Sequence, residues 1–332
     1  GFINDTFLVY TVSANEPEFI LQKKNKTVFR DIPGLIQNTD KINRHISSKK
    51  QKNHYQTARV IYTHDDELFY LDEHENYWIM YSYIHGSHNF EHTQDPEIAH
   101  SAGKAIGLFH ALTNDFTHDL IDVLPSFHDI SYRFLQWDDA LTLDNANRKN
   151  DLRFEISGIE SYKKKMTELS NMIVNGIFPK RVCHNDTKLS NILFNENNEP
   201  ICLIDLDTCT YGTVLYDFGD AIRSICNSSS EDEPDTDKIS INIDVYKALT
   251  KGYLQQASSF LTEVEIKYLA FSALYITFEQ ALRFLTDYLN GDIYYKINSP
   301  KHNLQRFYAQ IALLHDMEEQ FKEMDDIVHS YC

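Results

Sequence analysis

No stretch of about 18 consecutive uncharged apolar residues occurs in this 332-residue chain, which excludes a helical membrane span. Basic side chains are also scarce: 31 Lys and Arg stand against 49 Asp and Glu, a formal charge of −18. Duplex affinity is built largely on Lys and Arg at phosphates, so this balance argues against a broad nucleic-acid face and points to small-molecule partners. Cysteine is few and odd in number. Cys183, Cys202, Cys209, Cys226 and Cys332 form no C-x-x-C pair, which fits neither a disulfide framework nor a zinc site, and a reducing cytoplasmic setting is expected. No basic-then-apolar leader with a cleavage site is visible, and the chain starts at Gly1 without Met, so residues upstream are expected. What is present is an ordinary globular balance, 42% hydrophobic and 24% charged, unlike the composition of a disordered chain. The 20 Phe and 20 Tyr predict an aromatic-rich core.

Roughly 100–200 residues per domain predicts two units for this length. Residues 1–86 read as a small sheet with one helix. Phe7 to Val12, Glu18 to Gln22, Ala58 to Thr63 and Tyr77 to Ile84 are short β-rich runs broken by Asn, Asp, Pro and Lys clusters, and Ile32 to Lys50 has loose helical spacing. After the polar stretch Gly86 to Gln94, residues 87–332 read as a larger helical unit. Asp95 and Pro96 start its first helix, and Thr262 with Glu265 forms a capping box for a helix that stops at Gly291. A last helix is expected over Asn303 to Met324.

The chemistry concentrates in His184-Asn-Asp186-Thr-Lys188-Leu-Ser-Asn191 and in Ile204-Asp205. Apolar runs at Ile192 to Phe194 and Ile201 to Ile204, separated by an Asn/Glu/Pro turn, predict an antiparallel hairpin. Such a hairpin brings Asn191, just before its first strand, next to Asp205, just after its second. With Asp186 on the preceding loop, this gathers hard oxygen donors suited to Mg²⁺ carrying phosphate ligands, and leaves one carboxylate free to accept a proton from an alcohol. Phosphoryl transfer needs those parts.

H-x-D-x-x-x-x-N followed by I-D resembles the bilobal kinase-like fold, in its aminoglycoside phosphotransferase and choline kinase branch: a small β-rich N-lobe and a larger α-helical C-lobe, an α+β class. The resemblance implies Asp186 as base, Asn191 and Asp205 as Mg²⁺ ligands, His184 as a brace of the loop, and Lys188 as a contact of the transferring phosphate. The literal D-F-G at Asp217-Phe218-Gly219 lies too far from Asp186 to supply the metal ligand, and the branch implies that Asp217 supports the catalytic loop. Ile204-Asp205-Leu-Asp-Thr, Tyr216-Asp217-Phe-Gly-Asp220-Ala-Ile-Arg223, the acidic Glu231 to Glu233, Arg283-Phe-Leu-Thr-Asp287 and the opening Gly1-Phe-Ile-Asn4-Asp5-Thr6 are similar to N-acetylhexosamine 1-kinases, which phosphorylate the anomeric hydroxyl of GlcNAc or GalNAc. That resemblance implies ATP and a sugar as ligands. Arg283, Tyr294 and Asp287 would face the sugar, and Phe2, Ser224 and Val264 would serve as pocket walls. Arg283 and Asp287 are also spaced for a helix-surface ion pair, and Tyr294 for core packing.

The loop Gly1 to Thr6, with Asn4, is expected to cover the nucleotide phosphates through backbone N–H groups. In Phe19-Ile-Leu-Gln22-Lys23 a strand lysine is expected to reach the α- and β-phosphates. Alternation lets only one of Gln22 and Lys23 point into the cleft, and charge favours Lys23. Adenine is expected near Tyr83 to His85. Kinases of the same fold for an aminoglycoside, choline or homoserine, and a non-catalytic nucleotide-binding relative, are the alternatives. The filled catalytic positions argue against the last.

Overall fold

Strand β2 (Phe19–Lys23) lies at the centre of the first layer in the computed structural model, which describes residues 4–12, 16–49 and 55–332. Gly1 and Phe2, both expected at the site, lie outside the described residues. β2 pairs antiparallel with β1 (Asp5–Val9) in the register Phe7↔Leu21 and with β5 (Tyr77–Ser82) in the register Leu21↔Met80. β3 (Val60–Ile61) and β4 (Tyr70–Leu71) each pair with β5. Helix α1 (Ile32–Ser48) closes one face of this sheet. Asp31 accepts from the N–H of Gly34 at its start, and Ile32, Leu35 and Ile36 meet Phe29, Val60, Ile79 and Tyr81 in a buried cluster.

The connection from β5 to α2 (Pro96–Thr113) is tied to the hairpin that the sequence predicts. That hairpin is β7 (Ile192–Phe194) and β8 (Pro200–Leu203), antiparallel with Ile192 opposite Leu203. His88 and Phe194 exchange both backbone hydrogen bonds, so the linker and the hairpin share one ladder. A second short pair, β6 (Arg181–Cys183) and β9 (Thr210–Gly212), frames the other side of the loop between β6 and β7.

The remainder is helical: α3 (Ile130–Leu143), α4 (Arg153–Val174), α5 (Val214–Ile225), α6 (Ile243–Ala257), α7 (Glu263–Asn290), α8 (His302–Glu319) and α9 (Phe321–Ser330). α2 and α6 approach closely because glycine lines their contact. A Cβ on Gly103 would lie 2.0 Å from the Leu249 carbonyl oxygen, and one on Gly252 the same distance from that of His100. α7 touches α3, α5, α8 and α9 and is buried on nearly every side, as a mostly apolar helix in a core must be. The predicted capping box forms, with Thr262 accepting from the N–H of Glu265 and Glu265 accepting in return from that of Thr262, and Gly291 ends the helix at φ +93°.

The last predicted helix divides. α8 ends and α9 begins around Gln320, whose backbone and side-chain amides both donate to Asp316. No Pro or Gly marks the break, so the helical pattern reads through it. Among the described residues no helix is long and apolar enough to cross a membrane.

All five cysteines are free; four are buried and Cys332 is exposed. Burial pushes the thiols of Cys183, Cys202, Cys209 and Cys226 upward. A maleimide added to the native protein is therefore expected to modify Cys332 alone. Labelling at any other cysteine, mapped by peptide mass spectrometry, would contradict the packing described.

Candidate active site

The loop between β6 and β7 is fixed by carboxylates behind it. Asp217, completely buried in the first turn of α5, accepts the N–H groups of His184 and Asn185 at 2.7 Å each and the Nε2 of His110 at 2.8 Å. Burial pushes this carboxyl upward, but His110 and the loop contacts outweigh it and hold the group below its ordinary range. Asp220 accepts the N–H of Thr187 at 2.9 Å and is held in turn by Arg223. Asp217 thus supports the loop, as the family pattern implies, and is spent on that task.

His184 closes the loop against the hairpin. A carbonyl can only accept, so its Nε2 donates to the oxygen of Ile204 at 2.8 Å, leaving Nδ1 to accept from the Asp186 N–H at 3.3 Å. Asp186 is half-buried. Its Oδ2 accepts from Lys188 at 2.7 Å and from the Asn191 amide at 3.0 Å. Burial raises this carboxyl, and the Lys188 ammonium with the Asn191 amide more than reverses that, so it stays ionised.

The hairpin brings Asn191 beside the residue that precedes Asp205: the Ile204 N–H donates to the Asn191 carbonyl at 2.9 Å. Asp205 stands in the left-handed region at φ 63° and ψ 53°, a strained choice for a residue other than glycine, and Asn185 has φ 63° on the opposite side. The Asp205 carboxylate opens to solvent from a bed of protein. That surrounding mass, with Asp207 and Asp186 nearby, pushes it up to about 6. Among the described residues it accepts no hydrogen bond, and no cluster of three or more His, Cys, Asp or Glu is disposed to hold a metal. Two adjacent oxygen donors with an unsatisfied carboxylate fit Mg²⁺, which takes one or two protein ligands and completes its shell with phosphate and water.

Lys23 does not point into the cleft. It pairs with Asp5 at 2.7 Å on the outer face of β2, near the Trp78 ring. The next residue, Lys24, lies on the face of Gln22 and is the inward lysine, completely buried with both oxygens of Asp207 at 2.7 Å. Burial alone would lower this ammonium, but Asp207, Tyr81 and Asp205 outweigh it and raise it. Asn4 donates to Asp207 at 2.8 Å, and the side chain of Thr6 accepts from Gln22 at 3.2 Å. The Tyr83 N–H is already used by the carbonyl of Glu18.

Arg283 and Tyr294 line one cavity of about 470 Å³, with Phe127, Tyr132, Arg133 and Tyr295. The Arg283 guanidinium lies 4.9 Å from the Phe127 ring and 5.7 to 5.8 Å from those of Tyr295 and Tyr294. Beneath them Glu279, fully buried, faces Arg133 at 3.0 Å, Arg283 at 3.6 Å and His128 at 3.4 Å. His128 reaches the Asn185 carbonyl at 3.3 Å, so this wall touches the residue next to Asp186. Tyr294 is exposed, not core.

Asp287 does not pair with Arg283, and its carboxylate is not left open toward the cavity. It accepts the N–H groups of Ile293, Tyr294 and Tyr295 and the Asn303 amide, at 2.9 to 3.0 Å, and so shapes the tyrosine loop. Ser224 donates back to Asp220 on its own helix and does not line this cavity. Val264 lies in the first turn of α7, roughly 28 Å along the helix axis from Arg283, too far to share a pocket wall with it. Lys24, Asp207, Arg133 and Glu279 were not singled out from sequence. Alternation with Gln22 pointed to the first and Asp207 lies in the Ile204-Asp205-Leu-Asp-Thr string, whereas Arg133 and Glu279 carry no local motif.

The fold has solved counterparts. A microcompartment-associated aminopropanol kinase superposes with a TM-score of 0.63 at 13% identity, over 97% of this chain and 94% of its own. A choline kinase from Cryptosporidium parvum Iowa II gives 0.57 at 16% identity, over 99% and 90%. APH(2'')-IIa, solved as a ternary complex with streptomycin and ATP, gives 0.51 at 14% identity, over 95% and 93%. At these identities the likeness speaks for the fold. A family model described as the phosphotransferase enzyme family matches residues 1–240, most of the sequence, and the chain therefore belongs to the phosphotransferase enzyme family.

Proposed function

We propose that this phosphotransferase is an ATP-dependent kinase of the anomeric C1 hydroxyl of an N-acetylhexosamine, GlcNAc or GalNAc, yielding the sugar 1-phosphate and ADP. The observation that carries the reading is the Arg133 and Arg283 pair, set among aromatic faces in a cavity joined through His128 to the catalytic loop. Aromatic faces suit the apolar side of a pyranose, and guanidinium groups suit hydroxyl and acetamido oxygens. The same arginines oppose a cationic acceptor such as choline or an aminoglycoside. Glu279 is shared between them, Asp287 is spent on its loop and Asp31 caps α1, which leaves Asp122 on the wall against Arg30, Arg133 and Arg283.

In this reading the C1 oxygen attacks the γ-phosphorus, the bond to the ADP oxygen breaks, and the hydroxyl proton passes to Asp186. Its Oδ2 is held by Lys188 and Asn191, which leaves Oδ1 to receive the proton. Lys188 lies beside the base and offsets charge on the moving phosphoryl group, while Lys24 serves the α- and β-phosphates. Mg²⁺, held by Asn191 and Asp205, would neutralise phosphate charge. His184 keeps the loop in register with the hairpin.

The test is a panel of GlcNAc, GalNAc, choline, homoserine and an aminoglycoside with ATP, the products read by ³¹P NMR. A phosphate coupled to an anomeric proton is expected with an N-acetylhexosamine and no product with the cations. Phosphorylation of choline or the aminoglycoside, with the sugars inert, would overturn the acceptor.

A further inference from the structure

The inward lysine of a kinase sheet needs a carboxylate to aim it, and in protein kinases that carboxylate is a Glu on the helix beside the sheet. Here the corresponding helix offers none. α1 carries one acid, Asp40, and it pairs with Arg44 and accepts from Tyr62 on the far side. α1 is also pinned: the buried Asn38 amide donates to the Ile121 carbonyl at 2.7 Å and Asn43 to that of Ala58 at 2.9 Å. Lys24 is instead bound by Asp207, two residues beyond Asp205, and Asp207 is itself held by Asn4. One short segment, packed against α1, thus bears both the carboxylate that faces the metal position and the carboxylate that fixes the lysine.

We propose that Asp207 is the positioning residue of the nucleotide phosphate site, aiming Lys24 at the α- and β-phosphates and locking it to the segment that carries Asp205. The inference rests on the kinase reading above. Its consequence is that the phosphate site is assembled wherever the segment 205–208 is folded, with no swing of α1 needed to complete it. Asn4 belongs to the same device. Its amide oxygen accepts the Asn25 N–H at 3.1 Å, so it clamps the residue after Lys24 as well as Asp207. Gln22, which accepts from Lys24 at 2.8 Å and donates to Thr6, extends the chain of contacts to β1.

The experiment is calorimetric titration of the whole protein with ADP and, separately, with adenosine, for the native sequence, Asp207→Asn, Lys24→Met, the double variant and Asn4→Ser. A residue that acts on phosphates through Lys24 changes ADP affinity and spares adenosine. Asp207→Asn is expected to weaken ADP by at least about tenfold, the scale of one lost charge-assisted contact, and adenosine by less than about twofold. The double variant is expected to bind ADP no more weakly than Lys24→Met alone, within about twofold, because the two residues act as one unit. Equal losses for ADP and adenosine, or losses that multiply in the double variant, would overturn the role of Asp207. If Asp207→Asn does not fold, Asn4→Ser retains both charges and is expected to weaken ADP selectively by about threefold, the scale of one lost hydrogen bond; an unchanged ADP affinity there would overturn the proposal. A native protein that binds adenosine but not ADP would overturn the kinase reading itself, whereas ADP binding that Asp207→Asn leaves intact would remove this inference alone.

Discussion

Asp186→Asn is expected to lower kcat for acceptor-dependent ATP consumption by at least about 100-fold, since a positioned proton acceptor contributes 10²–10⁴. The amide keeps the shape of the carboxylate. Lys188 and Asn191 both donate to the Oδ2 position, so the variant turns its amide oxygen toward them and presents an NH₂ group to the acceptor. That group donates where the reaction needs acceptance. Binding of ADP should be kept, because the lysine and metal segment of the site are untouched. Steady-state kinetics alongside an ADP titration separates the two effects, and comparable turnover in the variant and the native protein would refute the assignment of the base.

Glu279→Ala is expected to cost about 3–5 kcal/mol of stability, the usual penalty for removing one member of a buried ion cluster. Glu279 has no exposure, and its loss leaves Arg133, Arg283 and His128 facing one another without an anion. Burial pushes the Glu279 carboxyl upward, but Arg283, His128 and Arg133 outweigh it and bring it to about 2. A carboxyl held lower in the folded chain than its ordinary 4.5 lends stability above pH 4.5 and gives it up as the pH falls toward 2. Melting temperature should therefore fall more steeply on acidification in the native protein than in Glu279→Gln. Parallel slopes in scanning calorimetry between pH 5 and pH 3 would contradict this.

The hairpin around Asn195 to Pro200 was legible because two apolar runs flank a polar turn, and it alone placed Asn191 beside Ile204, the residue before Asp205. The capping box of α7 was legible for a similar reason: Thr262 and Glu265 signal each other over three residues. What escaped was set by tertiary neighbours. Lys23 and Lys24 are equal in charge, and although alternation puts Lys24 on the face of Gln22, only the packing of β2 decides that this face turns inward. α7 is buried almost all round, so its sequence shows no polar stripe that would single out Glu279 as the floor of a cavity. Asp287 carries a site-like charge next to a site-like arginine, yet the return of the chain at Gly291 places three N–H groups on it. The break at Gln320 has no breaker residue to announce it.

The kinase reading places one divalent-cation site at Asn191 and Asp205, completed by nucleotide phosphates. Electron paramagnetic resonance of Mn²⁺ titrated into the protein, with and without ADP, tests it most directly. One bound Mn²⁺ is expected in the presence of ADP, with weak binding without it and loss of that ion in Asp205→Ala and Asn191→Ala. Mn²⁺ held as tightly by Asp205→Ala as by the native protein in the presence of ADP would contradict it.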